Sequence, residues 1–229
     1  MEPHKLLPAE AAKFAPDING EPQLYYQKAR EFAYTYYSEE INKIKSVKFE
    51  DLTPEKFFSE YIWVVHATGF SAKAVGNFIP RLATAYGTYK SASTQSFDEM
   101  FESVKIVCNN EQKAKAVHST ASWLCNSLMH KSWEQIKSED LNEPAKLVKL
   151  PYIGKVTCYH LARNIGLLES VKPDLHLVRM ANHWGFDSPL DMIKHMNSQY
   201  NEPLGIADLI VWYAASTFGT ISIKKEGER

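Results

Sequence analysis

The eight residues Leu150-Pro151-Tyr152-Ile153-Gly154-Lys155-Val156-Thr157 limit what this chain can fold into more than any other stretch. Proline breaks a helix interior, so the chain must turn here. The apolar-rich run from Val156 to Ile165 then continues as a helix, and its early amides, which have no partner within the helix, point back toward the turn. Lys146, Lys149 and Lys155 surround that turn. Such a corner offers backbone N–H groups and positive charge to a phosphate, and would hold a nucleic-acid backbone without reading its sequence. An ordinary helix–turn–helix corner with a solvated basic edge fits the same residues.

A second feature narrows the choice. In Val171-Lys172-Pro173-Asp174-Leu175-His176-Leu177-Val178-Arg179, Pro173 disfavours helix in the residue before it and Asp174 is placed to cap the helix that follows. Asp174 lies 18 residues beyond Val156. A carboxylate there can be a cap, a catalyst, or both.

Taken together, the two segments resemble the helix-hairpin-helix DNA glycosylase superfamily, the endonuclease III-like fold. Its hairpin reads approximately Leu-Pro-Gly-Val-Gly-x-Lys-Thr-Ala and is followed by Val-Asp-Thr-His-x-x-Arg. The resemblance places Gly154 on the second hairpin glycine, Asp174 on the family's catalytic aspartate, and His176 and Arg179 on the residues that follow it. Upstream, His66-Ala67-Thr68-Gly69 resembles a Gln-Ala-Thr-Asp segment carried on a helix near the flipped nucleotide, and residues 110 to 117 resemble the basic helix start before the hairpin. The matches span about residues 55 to 185 and keep the family's order.

The departures are equally informative. Where bifunctional members carry a lysine that attacks the sugar C1′ and forms a Schiff base, this chain has Val156, which has no nucleophile. Lys155 is one residue early, and a helical step of about 100° aims it elsewhere; a phosphate contact, a surface charge and a rearranged nucleophile all stay open for it. Tyr152 replaces the first hairpin glycine, so that corner needs either a different backbone conformation or an unfavourable φ. His66 replaces a neutral amide with a group that titrates near neutrality, able to alter base selection or donate a proton.

Composition sets looser limits. The 229 residues suffice for a good core, as one domain or as two lobes. With 26 Lys plus Arg against 27 Asp plus Glu, attraction to DNA must come from local basic surface. Cys108, Cys125 and Cys158 are too few for a four-thiolate cluster and lack close metal-ligand spacing, so the iron–sulfur cluster of some relatives is expected to be absent and no cofactor is expected. Cys158, at the alanine position of the hairpin helix, reads as a small packing residue. No charged leader precedes an apolar core and no run reaches 18 apolar residues, so the default expectation is a cytosolic chain, in host cytoplasm if phage-encoded, without membrane contact.

Periodicity predicts an all-α protein. One long aromatic-rich helix is expected over 24–44, with Tyr25, Phe32 and Tyr36 sealing a core. Thr53 caps a helix with Pro54 in its first position, and Phe57 to Val65 carry it to His66. Further helices are expected over 71–86, 97–106, 111–128 and 132–138, then from Asp174 toward Trp184, over 189–200 and over 205–217. Lys224, Lys225 and Arg229 read as a frayed mixed-charge tail.

The resemblance implies two helical lobes flanking a DNA-binding cleft. Residues 1–54 contribute to the second lobe, 55–165 form a bundle ending in the hairpin, and 166–229 complete the second lobe, with Trp212 and Tyr213 either lining the cleft or packing the core. It further implies a monomeric, monofunctional DNA glycosylase acting on double-stranded DNA with a flipped modified or damaged base. Asp174 would promote N-glycosidic cleavage and His66 would act beside the base. Tyr61 or Tyr159 would assist if they face the cleft. Tyr152, Gly154, Lys155, Thr157, Lys149 and Arg179 would contact DNA. Two alternatives share the scaffold: a phage-type transferase that modifies a thymine-derived base, and a DNA-binding protein that has lost excision.

Overall fold

The computed structural model describes residues 9–69 and 72–219. Among these, every regular element is helical. In chain order the α-helices are α1 (Pro22–Tyr36), α2 (Ser38–Lys45), α3 (Pro54–Ala67), α4 (Ala72–Tyr86), α5 (Tyr89–Thr94), α6 (Phe97–Lys105), α7 (Glu111–His130), α8 (Trp133–Ile136), α9 (Pro144–Leu147), α10 (Thr157–Asn164), α11 (Leu175–His183), α12 (Pro189–Asn197) and α13 (Leu204–Phe218). Short 3-10 turns cover Ala9–Phe14 and Phe49–Asp51, and a wide π-type turn covers Lys137–Leu141. Ser71 and the basic tail at 224–229 lie outside the described residues. No helix among the described residues is long and apolar enough to cross a membrane.

The chain divides into two compact units, one holding Lys43–Leu167 and the other the described parts of Leu7–Asn42 and Leu168–Arg229. In the first, α3 is the central helix. Thr53 accepts the Lys56 amide at 3.2 Å and Pro54 supplies a preset φ at the first position, so the start of α3 is fixed by its own sequence. Its bulky face, Phe57, Phe58, Tyr61 and Val65, packs in a core with Leu82, Met100, Leu124 and Leu161. The helix order then delivers α9, the hairpin and α10. Behind the hairpin helix, Gly166 adopts φ 93° where an added Cβ would lie 2.6 Å from the Phe49 nitrogen, so only glycine fits.

The second unit assembles α1, α11, α12 and α13. The single helix expected over 24–44 is instead two. Thr35 bonds back to the Glu31 carbonyl at 2.7 Å, and Tyr37 leaves helical geometry at φ −132° with its ring stacked on Tyr213, centroids 4.0 Å apart. Side-chain back-bonding loosens a helix, and the stacked ring holds the break. Tyr213 is therefore a core residue of this unit, as are Tyr25 and Phe32. The helix expected to reach Tyr200 stops at Asn197, whose amide group bonds both the N–H (3.1 Å) and the C=O (2.6 Å) of Glu202. Ionic and aromatic partners complete that corner: Arg30 and the Tyr34 hydroxyl both meet Glu202.

Candidate functional site

The hairpin is built from the core outward. Leu150 and Ile153 are buried anchors, and the Ile153 amide donates to the Leu150 carbonyl at 3.1 Å, closing a four-residue turn with Pro151 and Tyr152 at its centre. Proline then a residue with positive φ is the pattern of a type II turn. Tyr152 adopts φ 64°, the left-handed region that glycine fills without strain. Of the two possibilities open from sequence, the corner thus keeps the glycine conformation and places a tyrosine in it. The ring stands 40% exposed, with the Lys113 ammonium 5.8 Å from its centroid.

Beyond the turn, the Cys158 amide donates to the Gly154 carbonyl at 2.9 Å, which starts α10. Val156, at the cap position, makes no side-chain cap. Among the described residues, no backbone acceptor takes the amides of Gly154, Lys155, Val156 or Thr157. Gly154 has no positive φ, and a Cβ built on it would meet nothing within 4 Å. Nothing among the described residues requires glycine there. Lys149 and Lys155 are exposed, and neither pairs with a carboxylate among the described residues. Thr157 is half-buried at the first position of α10. Amides without a backbone acceptor and the N-terminal end of the α10 dipole fall in the same short segment as two exposed lysines, a combination that suits an anion.

The hydroxyl of Tyr61 donates to the Pro151 carbonyl at 2.5 Å and approaches the Ala116 carbonyl at 3.3 Å. Burial raises its pKa, so it stays a neutral donor. Its role is to support the hairpin from beneath, not to face a substrate; Tyr159 is half-buried on α10. Cys158 is buried and contacts the Lys155 carbonyl through Sγ at 3.2 Å, a packing residue as expected. All three cysteines are free thiols. Among the described residues no group of three or more His, Cys, Asp or Glu side chains is placed to hold a metal ion.

His66 lies in the last turn of α3 and is fully buried. Its Nε2 shares a hydrogen bond of 2.9 Å with the Tyr86 hydroxyl, and its Nδ1 has no partner among the described residues. Burial, and then the Lys113 charge, lower its pKa to about 4. The titration near neutrality expected from an ordinary imidazole does not hold at this position: His66 is neutral at pH 7. Lys113, which sequence reading passed over within the 110–117 segment, is 2% exposed and donates to the carbonyls of His66 (3.1 Å) and Thr68 (2.6 Å), closing the end of α3. Its only advance signal was a lysine three residues after the capping Asn110.

Asp174 belongs to the second unit. It is the N-cap of α11, with Oδ1 accepting from the amides of His176 (3.0 Å) and Leu177 (3.1 Å). Its Oδ2 lies 3.9 Å from the Lys172 ammonium. The cap thus occupies one carboxylate oxygen and leaves the other turned to a cation. Arg179 is half-buried one turn further along α11, His176 between them. The structure groups Lys149, Tyr152, Gly154, Lys155 and Thr157 on the hairpin of the first unit, with His66 in that unit's core, and groups Asp174 with Arg179 on α11 of the second.

The same architecture occurs in solved DNA glycosylases. The 8-oxoguanine DNA glycosylase of Thermotoga maritima superposes with a TM-score of 0.60 at 20% identity, over 82% of this chain and 92% of that one. The 8-oxoguanine DNA glycosylase of Methanocaldococcus jannaschii gives 0.59 at 18% identity, over 88% of this chain and all of that one. A trapped endonuclease III–DNA covalent intermediate gives 0.51 at 18% identity, over 78% and 83% of the two chains. The sequence matches no protein-family model and no curated protein. The chain therefore has the all-α, two-unit helix-hairpin-helix DNA glycosylase fold.

Proposed function

We propose that this chain is a monofunctional DNA glycosylase that acts on a flipped modified or damaged base in double-stranded DNA. The observation that carries the reading is the hairpin, which combines four amides without a backbone acceptor, open space at Gly154 and two exposed lysines, while Val156 leaves the family's lyase position without a nucleophile. The backbone phosphates dock on the amides of residues 154–157, with Lys149, Lys155 and the Thr157 hydroxyl around them and the Tyr152 ring at the rim. Arg179 supplies a further phosphate contact from α11. The target nucleotide turns out of the stack.

At the sugar, the N-glycosidic bond breaks and positive charge develops at C1′ and the ring oxygen. The Oδ2 of Asp174 stabilises that charge and orients a water whose oxygen bonds to C1′; the water's proton passes to the carboxylate and then to solvent, while the base leaves with the bond electrons and takes a proton from solvent. Oδ1 stays engaged with the α11 amides, which fixes the carboxylate plane throughout. The products are free base and an intact abasic strand.

Mass spectrometry of DNA and released small molecules tests this, using wild type and Asp174→Asn with duplexes containing 8-oxoguanine, uracil, alkylated purines or 5-hydroxymethyluracil. Free base released by wild type alone, with the strand unbroken, is the expected result. No release from any duplex rejects excision; an amine-dependent mass gain on the DNA would then mark a base-modifying transferase, and binding without either change a DNA-binding protein.

A further inference from the structure

Helix α13 is apolar from Leu204 to Tyr213 except for one residue, Asp208, whose side chain is 2% exposed. Removing a carboxylate from water is costly unless it gains charge-assisted hydrogen bonds, so a lone acid in such a helix marks a partner that needs it. One such partner is backbone: the Lys172 amide donates to Asp208 Oδ2 at 2.8 Å. The Lys172 carbonyl in turn accepts the Asp174 amide, also at 2.8 Å. One residue therefore has its N–H held by Asp208 and its C=O held by Asp174, with Pro173 stiffening the link between them. The same helix grips the segment a second time. The Gly205 amide donates to the Leu168 carbonyl at 2.6 Å, and a Cβ at Gly205 would lie 3.1 Å from that oxygen, so the start of α13 is pressed against the backbone at 168–170.

The geometry points to Asp208 as a positioning residue for the Asp174 carboxylate, acting through the Lys172 backbone. Resting on the reading of Asp174 as the working carboxylate, it adds a residue that touches neither DNA nor water at C1′. Gly205 sets how close α13 comes to the segment, and Asp208 sets its register: with Lys172 fixed, Asp174 enters α11 at one place, where its Oδ1 meets the His176 and Leu177 amides and its Oδ2 faces the Lys172 ammonium. Without that tie, Lys172 and Pro173 could rotate together and swing the cap.

Two variants separate positioning from charge. Asp208→Asn keeps an oxygen acceptor for the Lys172 amide; Asp208→Leu keeps the branching of the side chain, with bulkier methyl groups for oxygens, and removes the acceptor. Amide hydrogen exchange by NMR, followed by steady-state kinetics on the best lesion duplex, reads both. The Leu variant is expected to lose protection at Lys172 by about tenfold to a hundredfold, with smaller losses at His176 and Leu177, and to lower kcat by a similar factor while KM for DNA holds. The Asn variant is expected to stay near wild type in both. Should the Leu variant fail to fold, Asp208→Ser, polar but too short to reach Lys172, takes its place. Unchanged Lys172 exchange in a folded Leu or Ser variant overturns the proposal, and so does an Asn variant that keeps Lys172 protected yet loses turnover. If wild type releases no base, the exchange measurements still decide the positioning, and the failure belongs to the glycosylase reading alone.

Discussion

Tyr61, in the middle of α3, donates its hydroxyl hydrogen to the carbonyl of Pro151 at 2.5 Å, tying the hairpin corner to the core of the first unit across 90 residues of chain. The hairpin's amides are useful to a phosphate only if they hold one direction, and this bond sets it from below. Tyr61→Phe keeps the ring packing and removes the donor. It should cost about 1 kcal/mol of stability in urea unfolding and weaken DNA affinity by more than that loss of folded protein explains. Equal DNA affinity in the folded variant would show that the corner holds its shape without the bond.

Tyr152 and Gly154 reverse the usual assignment of strain. Tyr152 has the left-handed φ and is not glycine; Gly154 is glycine with no left-handed φ and no crowding. Tyr152→Gly should therefore stabilise the fold by up to about 1 kcal/mol, since the left-handed conformation becomes strain-free, and should lower DNA affinity if the ring works at the rim of the phosphate seat. Gly154→Ala should leave stability within about 0.5 kcal/mol and weaken DNA binding, because its methyl group fills the space a phosphate needs. Thermal unfolding and fluorescence anisotropy on one duplex at two salt concentrations check both; a large loss of stability in Gly154→Ala would mean that the space serves the fold.

What could be read from sequence follows from range. The cap at Thr53, the proline-led turn and the cap at Asp174 are decided by residues within one turn of each other, and all three are in place. The break at Tyr37 depends on a ring 176 positions later, and the burial of His66 depends on Tyr86 and Lys113 from other helices. No window of sequence contains those partners. Asp208 gave a local signal, an acid in an apolar helix, but its meaning lay in the Lys172 amide, which sequence cannot place.

Asp174 is both cap and candidate catalyst, and the two roles separate by substitution. Asparagine caps a helix about as well as aspartate, so Asp174→Asn should unfold within a few tenths of a kcal/mol of wild type. It should nonetheless lose base release by about a hundredfold or more, the scale of a lost electrostatic or general-base group. Asp174→Ala removes the acceptor of two amides and should cost about 1 kcal/mol in addition. Full activity in a well-folded Asn variant would leave Asp174 as a cap only.

His66 gives the chain a pH dependence whose sign follows from burial. Its folded pKa is lowered to about 4, first by desolvation and then by Lys113, against about 6.5 for a free imidazole. Between those values the unfolded chain binds a proton that the folded chain refuses, so the stabilisation is complete above pH 6.5 and is lost as pH falls toward 4. At pH 5 the loss relative to pH 8 should be about 2 kcal/mol. The surrounding groups are the Tyr86 hydroxyl, which stays neutral across this range, and the Lys113 ammonium, so neither adds a slope of its own sign reversal there. His66→Gln cannot titrate, and its urea midpoints at pH 8 and pH 5 should differ by correspondingly less than those of wild type. Parallel losses in the two proteins would mean that His66 takes up its proton in the folded state, and the orphaned Nδ1 would then have to find a partner on protonation.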